Sequence, residues 1–202
     1  MNLKEFLENS GIKLERGLFL VYGKAGVGKT TFLMEIAKLS QGKVFIIDSE
    51  NGFSIERFKQ ISEETELSSL IVIKPKNFSE QAEMIGKILD NEKLFDVIGL
   101  DTVGKHYREV SKVDYNKSNN ELARQMRILK EISRNKPIIV CNQVYQDIKE
   151  NKAEPVGKNY VKKWCDNIIF LDESNGKRII KILKPKEISK EFSLSDDGFY
   201  FM

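Results

Sequence analysis

Cysteine, histidine and tryptophan are nearly missing from this chain of 202 residues, which carries two, one and one of them. Cys141 and Cys165 form neither a disulfide framework nor a metal-ligand spacing, so they read as reduced core residues. The lone His106 excludes a multi-histidine metal site and, standing alone, is not read as a ligand or a base. No apolar run reaches the roughly 18 residues that a membrane span needs, and the first residues are charged and polar, unlike a secretory leader. The expectation is a cytoplasmic protein with no membrane partner. Only four prolines are present, without repeats, low-complexity tracts or a linker. One domain spanning 1–202 is expected, with about sixteen residues before the first strand and no separate N-terminal domain. A dominant charge is lacking too. The excess of 33 basic over 30 acidic residues is +3, which neither requires nor excludes nucleic acid, so distribution decides.

What is there is a glycine-rich turn in a specific setting. Gly23-Lys24-Ala25-Gly26-Val27-Gly28-Lys29-Thr30-Thr31 fits G-x-x-x-x-G-K-T, between an apolar run at 18–22 and a helical stripe of Phe32, Leu33, Ile36, Ala37 and Leu39. Glycines let the backbone N–H groups wrap phosphate oxygens, and the helix start aims its positive end at them. Lys29 supplies a point charge for the β- and γ-phosphates, and Thr30 a hydroxyl for Mg²⁺. The pattern predicts a nucleoside triphosphate and Mg²⁺ as ligands.

Further buried strands are expected over 43–48, 70–73, 94–101 and 137–142, with helices over 2–9, 54–62, 79–91 and 118–134. The stretches 102–118 and 143–160 lack apolar periodicity and read as long surface loops. Asn175-Gly176 and Asp196-Asp197-Gly198 each sit between alternating segments and predict hairpins. The fold class is therefore α/β: a mostly parallel central sheet flanked by helices, with C-terminal antiparallel hairpins. Parallel strands gather their C-terminal ends at one crevice. Glu50, Asp101 and Gln143 stand at such ends, beside the glycine-rich turn. Asp101 suits a Mg²⁺-holding acid. Glu50 has two readings, a base for the attacking water or a turn acid in Asp48-Ser49-Glu50-Asn51-Gly52. Gln143 either senses the γ-phosphate or is merely exposed.

The segments 23–31, 47–57 (I-D-S-E-N-G-F-S-I-E-R), Leu100-Asp101-Thr102 and Cys141-Asn142-Gln143-Val144-Tyr145 together resemble the RecA/RadA recombinase superfamily. Within it, the chain is most similar to the short archaeal RadA paralogues. The resemblance covers nearly the whole chain. It implies a RecA-like core in which strand 137–142 lies between the strands leading to the P-loop and to Asp101. It also assigns Glu50 as catalytic glutamate and Gln143 as γ-phosphate sensor, beside Lys29. Recombination and repair, single-stranded DNA and a RadA-type recombinase follow as expected role and partners. The two long stretches would line the DNA path, offering Lys105, His106, Arg108, Lys112, Lys149, Lys152, Lys158, Lys162 and Lys163 to phosphates and Tyr107, Tyr115, Tyr145 and Tyr160 to bases. Gly157-Lys158 departs from the family's glycine pair, and Asn159 stands where a histidine is common. The phenylalanine-bearing polymerisation linker has no counterpart, which argues against long filaments and for slow hydrolysis; Lys181, Lys184 and Lys186 are candidate groups for a neighbouring subunit's site. Two other classes stay open: a KaiC-like signalling ATPase, and a nucleotide-gated adaptor that binds a recombinase without DNA.

Overall fold

The computed structural model describes residues 1–40, 42–62, 69–147 and 152–201. Its centre is a sheet in which β1 (Gly17–Gly23), β2 (Val44–Asp48), β3 (Leu70–Ile73), β4 (Val97–Asp101) and β5 (Pro137–Asp147) run parallel in the order β1-β5-β4-β2-β3. The expected insertion of β5 between β1 and β4 is present. Strands β1, β2 and β4 are buried throughout, because helices cover both faces. One core layer lies under α1 (Leu3–Asn9), α2 (Lys29–Ala37) and α3 (Ile55–Ser62), gathering Phe6, Phe32 and Phe58. The other lies under α4 (Phe78–Asp90), α5 (Gly104–Val110) and α6 (Tyr115–Ile132), gathering Phe78, Tyr107 and Met126. Among the described residues, no helix is long and apolar enough to cross a membrane.

Beyond β1 the sheet turns antiparallel. Strand β7 (Asn167–Ser174) pairs parallel with β1, then hairpins into β8 (Lys177–Lys184) over the Asn175-Gly176 turn. Strands β9 (Ile188–Ser195) and β10 (Gly198–Tyr200) close it with the second expected hairpin.

Both stretches read as loops are largely regular. The segment 102–118 holds α5 and the start of α6, because Thr102, Val103, Gly104, His106 and Tyr107 are buried against neighbouring elements. Helix α6 begins at Tyr115, capped by the Asp114 carboxylate accepting from Lys117 N (2.9 Å), rather than at Ser118 or Asn119. In 143–160, β5 continues to Asp147 and pairs with β6 (Lys152–Pro155), followed by the short α7 (Asn159–Lys162). Strand β4 starts only at Val97, since Glu92–Leu94 form a 3₁₀ turn.

The last hairpin also corrects the expected burial of α2. Leu39 lies beyond the end of α2 and is 37% exposed, whereas Glu35 within the helix is 5% exposed. Phe199 and Leu194 cover that face, and the Glu35 carboxylate accepts the backbone N–H of Phe199. A Cβ at Gly198 would lie 2.1 Å from Glu35 Oε1, so the carboxylate seats against a residue that must be glycine. Arg57 of α3 locks the same turn by donating to the carbonyls of Ser195 (2.5 Å) and Asp196 (2.9 Å). Burial pushes the Glu35 pKa up to about 7, against opposing effects of the Phe199 N–H, Lys38 and Arg57. A carboxyl raised on folding binds its proton more tightly in the native state. Its contribution is complete below the unfolded value near 4.5 and is lost as pH rises through about 7. Urea unfolding at pH 5 and pH 8 is therefore expected to show a loss on the order of 2–3 kcal/mol in the parent. That loss should be absent in Glu35→Gln, which keeps the acceptor without the charge. Equal slopes for the two proteins would remove Glu35 as the cause.

Candidate nucleotide site at the strand ends

Strand β1 ends at Gly23, where side chains are excluded outright: a Cβ there would lie 2.2 Å from the Leu171 carbonyl oxygen. The chain then wraps through Gly26 (φ 79°) and Gly28 (φ 107°) into α2. Left-handed backbone at both positions suits glycine. Lys29 is buried, and its ammonium donates to the loop carbonyls of Gly23 (3.1 Å) and Lys24 (2.7 Å). The cation thus rests within the loop it would share with phosphates. Next to it, Thr30 Oγ1 donates to Asp101 Oδ2 at 2.5 Å. Asp101 is 3% exposed; burial pushes its pKa up to about 6, helped by Glu50 and Asp48 and opposed by the Thr30 hydroxyl and Lys29. A hydroxyl and a carboxylate, both oxygen and held together, match the donor set of a hard divalent cation such as Mg²⁺.

Glu50 lies two residues beyond β2. The turn acid of this segment is its neighbour Asp48, whose two oxygens accept the N–H groups of Gly52 and Phe53 (3.1 Å each). Glu50 instead faces across the crevice. Its Oε1 accepts from Thr102 Oγ1 (2.9 Å), and both oxygens accept from Gln143 Nε2 (2.7 and 2.9 Å). Gln143 sits in β5 opposite Gly23 of β1, and its Oε1 accepts from Arg108 at 2.7 Å. Lys105 ties the base of this arrangement by donating to the Ser49 carbonyl (2.6 Å). Thr102 and Asp48 were not singled out from sequence. Asp48 had a legible signal, a carboxylate four residues before a glycine in a turn. Thr102 had none beyond standing next to Asp101; the peptide between them is cis.

The residues expected to face DNA divide. Arg108, Lys112, Tyr115, Tyr145, Lys158 and Tyr160 line one groove of about 790 Å³, which Lys105 and Tyr107 also border. Tyr115 (60%) and Tyr145 (51%) offer exposed rings, and the Lys158 ammonium lies 5.1 Å from the Tyr145 centroid. Tyr107 cannot stack on a base, because it is buried and its hydroxyl donates to Asn119 (2.6 Å). His106 is buried as well, with Nε2 3.0 Å from the Pro75 carbonyl. Lys162 is committed to Glu154 at 2.6 Å, and Lys163 lies over the Tyr160 and Trp164 rings. Lys152 starts β6, and Lys149 is outside the described residues. Of the candidate intersubunit lysines, Lys184 donates to the Cys165 carbonyl (2.6 Å) and Lys181 lies over Phe170.

Comparison with known proteins follows the same lines. Residues 18–189 match the AAA domain family. The DNA repair and recombination protein RadB of Pyrococcus abyssi is 37% identical over 155 residues, 71% of this chain and 66% of that protein, just under two thirds of its length. RadB of Thermococcus sibiricus is 32% identical over 203 residues, covering 92% of this chain and 87% of that protein. A solved structure described as the RadB recombinase superposes with a TM-score of 0.84 at 29% identity, covering 98% of this chain and 97% of that one. The chain belongs to the RadB family of RecA-like proteins.

Proposed function

We propose that this protein is an ATP-binding, slowly hydrolysing RecA-family protein of DNA recombination and repair. In this reading it binds single-stranded DNA and works as a mediator beside a RadA-type recombinase. One observation supports it above the others. Groups from four strand ends meet in a single crevice, as Thr30 with Asp101 (2.5 Å) and Glu50 with Gln143 (2.7 Å), beside the glycine-rich turn. That is the set a γ-phosphoryl transfer to water requires: cradle, cation holder and base. Mg²⁺ would supply charge neutralisation between the β- and γ-phosphates. The loop amides and Lys29 would orient the triphosphate, Thr30 and Asp101 would hold the cation, and Glu50 would take a proton from the attacking water.

The groove beside the crevice supports the nucleic-acid part of the reading, since it combines four cations, against the single acid Glu109, with exposed tyrosine rings. Cations neutralise phosphates without regard to sequence, and rings stack on any base. The test is a salt titration of a fluorescent oligothymidylate with ATP, ADP and no nucleotide. If Lys105, Arg108, Lys112 and Lys158 each take one phosphate, the slope of log affinity against log salt is expected near −3, at about 0.7 per single-strand contact. The three nucleotide states should differ in affinity. No binding at low salt, with nucleotide binding intact, would favour the signalling or adaptor readings.

A further inference from the structure

The hydrogen bonds that surround Glu50 leave it poorly placed to act as a base. A carboxylate has about four lone-pair directions. Here Thr102 Oγ1 occupies one, and the Gln143 amide nitrogen spans both oxygens at 2.7 and 2.9 Å. The orientation of that amide is dictated by its neighbours. Its nitrogen faces an acceptor-only carboxylate, and its oxygen faces Arg108, a donor-only guanidinium, at 2.7 Å. Turning the amide over would oppose donor to donor and acceptor to acceptor. Arg108 thereby holds Gln143 in the one arrangement that covers Glu50. Arg108 itself is exposed on the wall of the groove that holds Lys112, Tyr145 and Lys158, and among the described residues no carboxylate pairs with it. Its guanidinium thus has one neutral acceptor, where a phosphate would offer two charged oxygens in a matching fork.

We infer that Arg108 is a positioning residue that latches Gln143 over Glu50, and that a nucleic-acid phosphate bound by Arg108 in the groove releases the latch. The inference rests on the function proposed above and adds the residue through which the groove acts on the base. It carries a reciprocal consequence. Gln143 and the phosphate compete for one guanidinium, so whatever frees the base must also favour the polyanion.

That consequence is measurable without turnover. In nucleotide-free protein at low salt, fluorescence anisotropy of an oligothymidylate is expected to show about three- to tenfold tighter binding by Gln143→Ala than by the parent. Gln143→Met, which keeps the length of the side chain without its amide, should give the same gain. Arg108→Ala should weaken binding about tenfold, and the Arg108→Ala/Gln143→Ala double variant should bind no better than Arg108→Ala alone. A merely structural Gln143 predicts unchanged or weaker binding in both Gln143 variants, and that result would overturn the latch. Binding of a fluorescent ATP analogue, run in parallel, separates the two levels. A parent that binds the analogue while its Gln143 variants show no gain, or that binds no oligothymidylate, overturns the latch alone. A parent that binds neither probe overturns the proposed function with it.

Discussion

Lys29→Ala is expected to lose at least a hundredfold in affinity for ATP while unfolding as the parent does. The ammonium of Lys29 contacts only the carbonyls of Gly23 and Lys24, at 3.1 and 2.7 Å, and no carboxylate among the described residues pairs with it. Nothing in either core layer depends on its charge, so the fold should tolerate its loss. A triphosphate in the turn, in contrast, would lose the cation held within that turn. A charge-assisted contact of this kind contributes about 1.5–3 kcal/mol, which is one to two orders of magnitude in affinity before the loss of charge neutralisation is counted. Isothermal calorimetry with ATP and Mg²⁺ measures it, and circular dichroism checks the fold. Equal affinity in variant and parent would displace the nucleotide from this turn.

Glu50→Gln is expected to separate binding from chemistry. The substitution keeps length and shape but removes the carboxylate that faces Thr102 and Gln143 across the crevice. Thr30 and Asp101 are untouched, 2.5 Å apart, so affinity for ATP with Mg²⁺ should stay within a few-fold. Hydrolysis should fall about a hundredfold or more, the scale of a lost general base. Phosphate release under single-turnover conditions gives the rate. Unchanged hydrolysis in the variant would make Glu50 structural and place the base elsewhere.

The strands leading to the site were legible because burial on both faces writes a continuous apolar run, and each run stops at a glycine or a polar residue. Gly23, Asp101 and Gln143 announce themselves that way. Glu50 was ambiguous until Asp48 was seen to hold the turn, leaving Glu50 to face Thr102 and Gln143. The hidden parts are those fixed by distant residues. Helix α5 is seven residues long, too short for a periodic pattern, and is held by the burial of His106 and Tyr107 and by the fit of Gly104 against Asn142 and Val156. The first turns of α6, from Tyr115 to Glu121, carry no apolar spacing; their register comes from the Asp114 cap and the buried Ser118 and Asn119. Strand β5 runs past Gln143 because β6 pairs with it, a contact made by residues five to eleven positions away that no local pattern encodes. Glu35 is the sharpest case. Its place on α2 reads as solvent-facing, and only the last hairpin of the chain buries it.

The most direct test follows the γ-phosphate of labelled ATP to its destination, with and without oligothymidylate. Residues 18–189 carry the family match, and the Glu50 carboxylate faces Thr102 and Gln143 across the crevice beside the glycine-rich turn. The expected result is label released as free inorganic phosphate, dependent on Mg²⁺, at a slow rate that rises when oligothymidylate is added. Label retained on the protein, or a rate indifferent to the oligonucleotide, would contradict the account.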